Sequence, residues 1–231
     1  MKFYGLRVYD MCESIVASGL PMRKTEYTPE EFEKEVSDLS DYLDEFGTVV
    51  FKDAKLPKEA REELFSKDYQ KVLNHIRRAC NLGNATPSSG HDCALKGIAV
   101  HVNIKADQSF WLQFERYHFQ DTISSMSTMH CLCKFEKLSE MFSPYTDPRS
   151  IAICNEYIEQ YNNNPTPENF QKVIHNCPEG IELTRRIETN YLQLKTMFSQ
   201  RKAHKMFAWS VDFKELINEL PFFYQLTGIE E

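Results

Sequence analysis

The residues best suited to bind a charged ligand lie at positions 114 to 130, in the segment "FERYHFQDTISSMSTMH". A basic and aromatic triplet, Arg116-Tyr117-His118, runs directly into a stretch of hydroxyl side chains, namely Thr122, Ser124, Ser125, Ser127 and Thr128. Several hydroxyls beside an arginine can hold a phosphate through charge-assisted hydrogen bonds. An amphipathic helix that ends in an arginine and continues into a serine-rich turn gives the same pattern without a ligand. The local pattern leaves both interpretations open.

Two elements would position this segment. Residues 98 to 104 alternate between apolar and polar side chains, which predicts a half-buried strand with one apolar face: Ile98, Val100, Val102 and Ile104. Asp107 or Ser109 can then cap a helix whose apolar residues are Phe110, Trp111, Phe114 and Tyr117. Gln113, Arg116 and Tyr117 lie at positions i, i+3 and i+4 of that helix. Their polar ends are therefore expected to converge where the hydroxyl-rich segment begins.

The rest of the pattern predicts an α+β fold, with a mixed sheet flanked by helices, in a single domain over residues 1–231. Thr28-Pro29-Glu30-Glu31 has the composition of a capping box and predicts a helix over about residues 29 to 46. Further helices are predicted before a loop at 81 to 90, at 151 to 161, from Thr166 to near Cys177, at 190 to 205 and at 212 to 220. Short strands are predicted at 48 to 51, "TVVF", and at 181 to 189.

Composition restricts the class of protein. Of the 231 residues 42% are hydrophobic, which is enough apolar surface for a substantial core. The formal net charge of −7 disfavours broad binding of DNA or RNA, because such binding depends on Lys and Arg neutralising phosphates. No segment approaches the ~20 apolar residues of a membrane span, and the seven cysteines have no regular framework spacing. We therefore expect a cytoplasmic protein, not held in a membrane, that binds anions in a local pocket.

The common catalytic motifs do not occur in the sequence. His130-Cys131-Leu132-Cys133 offers three ligand-type side chains, but no second Cys/His pair stands at zinc-site spacing, so no metal is expected. The glycine-rich patterns G-x-x-x-x-G-K-[ST] and G-x-G-x-x-G are missing, and so is the G-x-S-x-G elbow of a serine nucleophile. The usual nucleotide-triphosphate, Rossmann and serine-hydrolase mechanisms are therefore disfavoured.

Two ordered matches connect the chain to a known family. In the first, Gly90-His91 stands before the strand at 98 to 104, Gln113 and Arg116 stand at the end of the next helix, and Ser127 follows. This order resembles the flavin-dependent thymidylate synthases. They have a Gly-His, an amphipathic strand, a helix ending in Gln-x-x-Arg-His-Arg, and a loop of the type Ser-x-Asn-Glu-x-Ser-x-Arg-Tyr. One inserted residue aligns both ends of the region.

The second match lies towards the C-terminus. Cys177-Pro178 is followed by Asn190, then by Lys195, Gln200-Arg201 and Ala203-His204. The family similarly has a Leu-Pro followed twelve residues later by an Asn, which opens a helix with an Arg-rich face that ends in Leu-Arg and then Ala-Gln or Ala-His. The resemblance is clearest over residues 88 to 225 and weaker over residues 1 to 87.

The resemblance implies a homotetramer that binds FAD and a pyrimidine nucleotide, dUMP or a related one, where subunits meet. In that family methylenetetrahydrofolate supplies the one-carbon unit, NADPH is the usual reductant, and no enzyme cysteine attacks the base. The implied nucleotide-binding residues are Gln113, Arg116, Ser125, Ser127 and Arg201. The implied FAD-binding residues are His91, Arg116, His118, Asn190 and His204.

Several positions depart from the family pattern. Ser125 replaces the loop Glu that touches the nucleotide, and Met129 replaces the loop Arg that grips its phosphate. Tyr117-His118 stand in place of His-Arg, and Ile174 in place of an Arg. Loss of an arginine removes a bidentate contact that neither methionine nor serine can replace. The resemblance, with these departures, thus implies a divergent enzyme that transfers a one-carbon unit to C5 of a pyrimidine nucleotide with reduced flavin. The alternative is a relative without flavin or catalysis that serves as a binding or assembly module.

Overall fold

The computed structural model describes residues 1–86 and 89–230, so Pro87 and Ser88 of the predicted loop at 81 to 90 lie outside the described residues. The strands are β1 (Lys2–Tyr9), β2 (Ala99–Asp107), β3 (Gln120–Ser125) and β4 (Glu182–Asn190). The first six α-helices are α1 (Met11–Ala17), α2 (Pro29–Phe46), α3 (Val49–Asp53), α4 (Lys58–Leu64), α5 (Lys67–Gly83) and α6 (Gln108–Phe114). The others are α7 (Thr128–Cys131), α8 (Pro148–Asn163), α9 (Pro167–His175), α10 (Tyr191–Arg201), α11 (Phe213–Asn218) and α12 (Phe223–Thr227).

Shorter helical turns connect these elements. Turns of the 3-10 type lie at Leu20–Met22, His91–Lys96, Leu132–Lys134 and Leu138–Met141, and a π-helical turn lies at Ala208–Asp212. Across the described ranges, no helix has both the length and the apolar character needed to span a membrane.

The four strands form one antiparallel sheet in the order β1-β2-β4-β3. Two ion pairs connect β2 with β4, His101 to Glu188 at 3.8 Å and Lys105 to Glu182 at 3.6 Å. Residue numbers rise along β2 while they fall along β4, which is the register of antiparallel neighbours. The sheet is thus antiparallel instead of the predicted mixed sheet, whereas the combination of helices with a few strands is as predicted.

The alternation predicted for β2 is confirmed. Val100, Val102 and Ile104 are at most 2% exposed, whereas Ala99 and His101 between them are half-buried. A strand with this pattern places one face against a core and leaves the other accessible to polar partners. β2 is therefore a rigid base for the helix that follows it directly, α6.

Contacts between residues divide the chain into two compact units. Unit 1 comprises Met1–Arg7, His101–Glu188 and Arg201–Leu216, and unit 2 comprises Val8–Val100, Thr189–Gln200 and Ile217–Glu231. The core of unit 1 includes a group of stacked and edge-on aromatic rings: Phe110, Trp111, Phe114, Trp209 and Phe213. The core of unit 2 includes buried side chains of α2, α5 and α12: Leu39, Leu43, Leu73, Ile76 and Phe223.

Helix α2 begins with the capping box that the sequence predicts. The Thr28 hydroxyl accepts a hydrogen bond from the Glu31 backbone N–H at 3.2 Å, and the Glu31 carboxylate accepts one from the Thr28 N–H at 3.2 Å. Pro29 occupies the first helical position, where its missing N–H costs no hydrogen bond. The helix ends before Gly47, whose positive φ of 52° favours glycine.

We expect Thr28→Ala to lower the free energy of unfolding by about 1 kcal/mol, because the substitution leaves a helix-end N–H without its acceptor. Thermal denaturation should show a decrease in Tm of about 2–4 °C. Thr25→Ala is the control, since Thr25 is exposed and precedes the helix. Equal melting temperatures for the two variants would show that the capping box does not stabilise the protein.

The "TVVF" segment is helical, so the strand predicted at 48 to 51 is wrong. Val50, Phe51 and Ala54 lie on one side of α3 and its C-terminal end and are at most 3% exposed. The Phe51 ring lies 4.9 Å from the Phe222 ring. β-branched residues favour strands only weakly, and burial of one helical face outweighs that preference here.

Other boundaries differ less from the predicted ones. Helix α5 continues to Gly83, into the segment predicted as a loop. The helix predicted at 190 to 205 ends at Arg201, where the His204 N–H bonds the Arg201 carbonyl at 2.9 Å and closes a tighter turn. Part of the hydroxyl-rich segment, predicted as a loop, forms the edge strand β3.

Candidate functional site

Helix α6 presents Gln113 from a firmly packed base in unit 1. The Asp107 carboxylate accepts a hydrogen bond from the Phe110 N–H at 2.8 Å, which confirms the predicted cap. The Trp111 indole N–H donates to the carbonyls of Ala106, at 3.0 Å, and Leu183, at 3.2 Å. These bonds connect α6 to β2 and β4, so the half-buried Gln113 has a defined place on the outer side of α6.

Arg201, the last residue of α10, reaches two side chains of the α6 region. Its Nε donates to the Tyr117 hydroxyl at 2.8 Å, and its Nη1 donates to Gln113 Oε1 at 3.1 Å. Gln113 and Arg201 are 88 positions apart in the sequence. Two of the implied nucleotide-binding residues therefore meet directly in unit 1.

The hydrogen-bond and ring partners of the Arg201 guanidinium are all uncharged. Its guanidinium carbon lies 5.0 Å from the Trp209 ring centre and 5.7 Å from that of Tyr117, and its hydrogen-bond partners are a phenol and an amide. Within residues 1–86 and 89–230 no carboxylate forms an ion pair with it. A half-buried guanidinium without a counter-ion can accept an anion without first breaking a salt bridge.

The turn after α10 completes this group of side chains. The Gln113 amide nitrogen lies 3.0 Å from the Met206 sulfur, and His204 Nδ1 accepts a hydrogen bond from the Met206 N–H at 3.1 Å. His204 thus lies beside these side chains, and its Nδ1 is occupied by the Met206 backbone. We call Gln113, Tyr117, Arg201, Met206 and Trp209 the Arg201 cluster.

A cavity of about 500 Å³ in unit 1 adjoins the Arg201 cluster at Met206. Its wall includes Tyr145 and Phe207, which are 79% and 61% exposed, and the two rings lie 6.4 Å apart. The polar part of the wall includes Lys205, Asp107 and Glu182. No local sequence pattern marks this cavity, or the contacts of Trp209 and Met206 with the cluster.

The predicted convergence of Gln113, Arg116 and Tyr117 is correct only in part. Because α6 ends at Phe114, the chain leaves the helical path before Arg116. Gln113 and Tyr117 meet through Arg201, whereas Arg116 and His118 are exposed and form no hydrogen bond or ion pair with another residue that the structure describes.

The hydroxyl residues lie along an exposed edge. Ser125 is exposed on β3, and the half-buried Ser127 precedes α7, with its carbonyl accepting a bond from the His130 N–H at 3.1 Å. The Met126 N–H bonds the Thr184 carbonyl at 2.9 Å and fixes this end of β3 beside β4. No hydrogen bond described in the structure connects Ser125 or Ser127 to the Arg201 cluster.

His91 and Asn190 belong to unit 2. His91 is exposed at the start of a 3-10 turn, and the next residue, Asp92, pairs with Lys195 at 3.2 Å. The Asn190 side chain accepts a hydrogen bond from the Gln193 N–H at 2.9 Å and so caps the first turn of α10. The Asn190 carbonyl oxygen therefore has a structural partner, and its amide nitrogen remains the atom suited to a ligand.

Two of the positions where the family has an arginine, Met129 and Ile174, carry uncharged side chains. Met129 is 52% exposed in α7. Ile174 packs against an apolar core formed by Leu132, Leu138, Phe142, Cys154, Ile158, Val173, Ile181 and Leu183, so it serves packing. The residues described contain no group of three His, Cys, Asp or Glu side chains placed to hold a metal ion, at His130-Cys131 or elsewhere.

Comparison with known proteins gives a likeness in fold. No family model matches the sequence, and no curated protein matches it. Among solved structures, the flavin-dependent thymidylate synthase ThyX of Helicobacter pylori, complexed with FAD and dUMP, superposes with a TM-score of 0.52 at 15% identity. That match covers 78% of this chain and 91% of the other. A second structure of that enzyme with FAD and dUMP gives a TM-score of 0.51 at 14% identity, over 78% and 90% of the two chains. The chain therefore has a fold similar to that of these synthases.

Proposed function

We propose that this protein is a divergent flavin-dependent thymidylate synthase-like enzyme that transfers a one-carbon unit to C5 of dUMP or a related pyrimidine nucleotide. One observation carries the proposal, the direct hydrogen bond between Gln113 and Arg201. These two residues match nucleotide-binding positions in separate parts of the family pattern, and they meet in a fold similar to that of the ThyX structures. Convergence of distant residues is what a shared site requires.

Each residue then has a role that its surroundings allow. Arg201 binds an anionic group of the nucleotide, because its present partners are neutral. Gln113, Ser125 and Ser127 supply hydrogen bonds to the base or phosphate, and Arg116 adds charge from the exposed side. His91, His118, Asn190 and His204 are assigned to FAD.

The expected chemistry needs no nucleophile from the chain. FAD, when bound, would supply electrons from NADPH, and methylenetetrahydrofolate would supply the carbon. The chain's own contribution is to orient the pyrimidine ring and to stabilise its charge through fixed donors. As in the family, we propose a cytoplasmic homotetramer of single-domain subunits.

The uncharged Ser125 and Met129, which stand in place of the family's Glu and Arg, affect ligand binding more than they affect folding. Both side chains are exposed, so neither supports a core. An arginine contact with phosphate is among the strongest hydrogen bonds available to a protein. We therefore infer weaker binding of the 5′-phosphate than in the family, or a pyrimidine nucleotide whose anionic group lies elsewhere.

Titration with FAD tests the proposal directly. The protein is expected to bind FAD with a change in the flavin absorption bands, and then to release tritium from dUMP labelled at C5 when methylenetetrahydrofolate and NADPH are added. Release of the C5 hydrogen is required because the transferred carbon takes its place. The Arg201→Ala variant is the matched control and should release little tritium. Absence of any bound or titratable flavin would contradict the enzymatic proposal.

The second candidate is a catalytically inactive relative that binds or assembles without flavin. The observation in its favour is that two donors of Arg201 are already satisfied by Tyr117 and Gln113, while Met129 offers no charge. This candidate predicts that dUMP stabilises the protein, if at all, equally with and without FAD. The enzymatic proposal predicts that FAD and dUMP enhance each other's binding.

A further inference from the structure

Unit 2 contains a separate cavity of about 470 Å³, within the size range of small-ligand pockets. Its wall is formed by residues of α3, α5 and α12 and of the segments that follow them: Phe51, Ala54, Lys55, Arg77, Cys80, Asn81, Asn84, Tyr224, Gln225, Gly228 and Ile229. None of the residues assigned to the proposed function lines it. We call it the unit 2 pocket.

The unit 2 pocket is positively charged although the whole chain has a net charge of −7. Its wall contains two cations, Lys55 and Arg77, three carboxamides and no carboxylate. Within residues 1–86 and 89–230, neither cation forms an ion pair. A concave site with unpaired cations and without acids attracts anions, since the low-dielectric walls concentrate the field of the cations.

Three polar side chains of the wall, from α5 and its C-cap residue, form one row. Arg77, Asn81 and Asn84 lie at positions i, i+4 and i+7, so the last turns of α5 place them on the same side. Lys55 approaches the row from the segment after α3. Burial raises the pKa of the Cys80 thiol to about 11, and the nearby Lys55 ammonium opposes this rise. The charge of Lys55 therefore reaches Cys80 in the pocket wall.

Apolar surface lies beside these polar groups. Phe51 is 3% exposed, and the half-buried Tyr224 donates its hydroxyl hydrogen to Asn218 at 2.6 Å. Ring carbons and carboxamides together can receive the ring of a sugar or a base, while Lys55 and Arg77 receive a dianion.

We propose that the unit 2 pocket binds a phosphomonoester of nucleotide or sugar-phosphate size. Lys55 and Arg77 contact the phosphate, the side chains of Asn81, Asn84 and Gln225 bond the polar groups of the ligand, and Phe51 and Tyr224 contact its ring. The site is independent of the Arg201 cluster, which lies in unit 1.

A structural role for Lys55 makes a different prediction. Carbonyl groups at the C-terminal end of α3 favour nearby cations, so Lys55, which follows that helix, would also stabilise the helix end. Lys52 separates the two roles, because it lies in the last turn of α3 but does not line the pocket. A pure helix-end role predicts similar behaviour of Lys52→Gln and Lys55→Gln in every measurement.

Thermal denaturation with defined probes is the first test. Adenosine 5′-monophosphate and ribose 5-phosphate should raise Tm by on the order of 5 °C at a hundredfold excess over Kd, whereas adenosine and ribose should not. The shift should persist in Lys52→Gln and Arg201→Ala and disappear in Lys55→Gln/Arg77→Gln. The proposal is overturned if neither phosphate raises Tm, if the double variant keeps the shift, or if Arg201→Ala abolishes it.

Alkylation of Cys80 is a second test, which measures the charge of the pocket directly. It needs no ligand and uses single variants. At about pH 9 the ratio of iodoacetate to iodoacetamide modification at Cys80, measured by mass spectrometry, should exceed the ratio at the exposed Cys93 several-fold. Lys55→Gln should reduce the Cys80 ratio towards that of Cys93, and Lys52→Gln should leave it unchanged. Equal ratios at Cys80 and Cys93 in the unmodified protein would overturn the proposal.

Discussion

Replacement of Arg201 by alanine is expected to weaken binding of dUMP by about 10- to 150-fold, the loss that corresponds to a hydrogen bond with a charged group. The guanidinium has neutral partners in unit 1, so its charge is available to the nucleotide. Isothermal titration with FAD present measures the change. The free energy of unfolding should fall much less, because Arg201 is half-buried and lies outside the apolar core.

Three further variants separate charge, geometry and general surface effects. Arg201→Lys keeps the charge but loses the fork that bonds Tyr117 and Gln113 together, so we expect intermediate binding. Arg116→Ala should weaken binding less than Arg201→Ala, because contacts of exposed charges are screened by water. Arg149→Ala is the control, since Arg149 pairs with Asp147 on the surface of unit 1.

A variant that fails to fold would give the opposite conclusion. If Arg201→Ala loses the circular dichroism spectrum or the cooperative melting of the parent, Arg201 is a structural residue and its assignment to the nucleotide is wrong. If the variant folds and binds dUMP as tightly as the parent, the Arg201 cluster is not the nucleotide site.

Elements with local signals could be predicted from the sequence. The alternation of β2 and the capping residues Thr28 and Asp107 each depend on neighbours within a few positions. Such signals report burial on one face or a satisfied helix end, which the local chain largely determines. The strand predicted for "TVVF" is wrong because burial of one helical face favours α3, and part of that burial comes from Phe222, which lies 171 positions after Phe51 in the sequence.

The candidate site depends on contacts that no local pattern contains. Gln113 and Arg201 match family positions that are far apart in the sequence, and their hydrogen bond brings the two side chains together in unit 1. Trp209 and Met206 contact these two residues from a segment whose sequence has no period or cap to mark it. The end of α6 at Phe114 also could not be foreseen, and it separates Arg116 from Gln113 and Tyr117. Sequence patterns therefore predict the supporting elements better than the side chains of the Arg201 cluster.

The largest effect on stability is expected from Trp111→Ala, which should lower the free energy of unfolding by about 3–5 kcal/mol. Trp111 is fully buried, and its ring packs edge-on against Phe110 and Phe114. Its indole N–H also bonds carbonyls of Ala106 and Leu183, so the substitution removes the bonds that hold α6 to the strands. Urea denaturation measures the loss. A change below about 1 kcal/mol would show that the core of unit 1 does not depend on this ring.

The two tryptophans of unit 1 differ in the hydrogen bonds that a substitution by phenylalanine would remove. Trp111→Phe deletes a donor with two acceptors, whereas Trp209→Phe deletes an indole N–H that has no hydrogen-bond partner among the described residues. A buried donor without a partner opposes folding, so its removal offsets part of the lost packing. Trp111→Phe should therefore be the more destabilising variant by about 1 kcal/mol.

Trp209→Phe should instead affect ligand binding at the Arg201 cluster, because indole attracts a cation more strongly than benzene does and Arg201 lies 5.0 Å from that ring. Weaker dUMP binding in Trp209→Phe with nearly parental stability would show that the core ring nearest Arg201 also supports ligand binding.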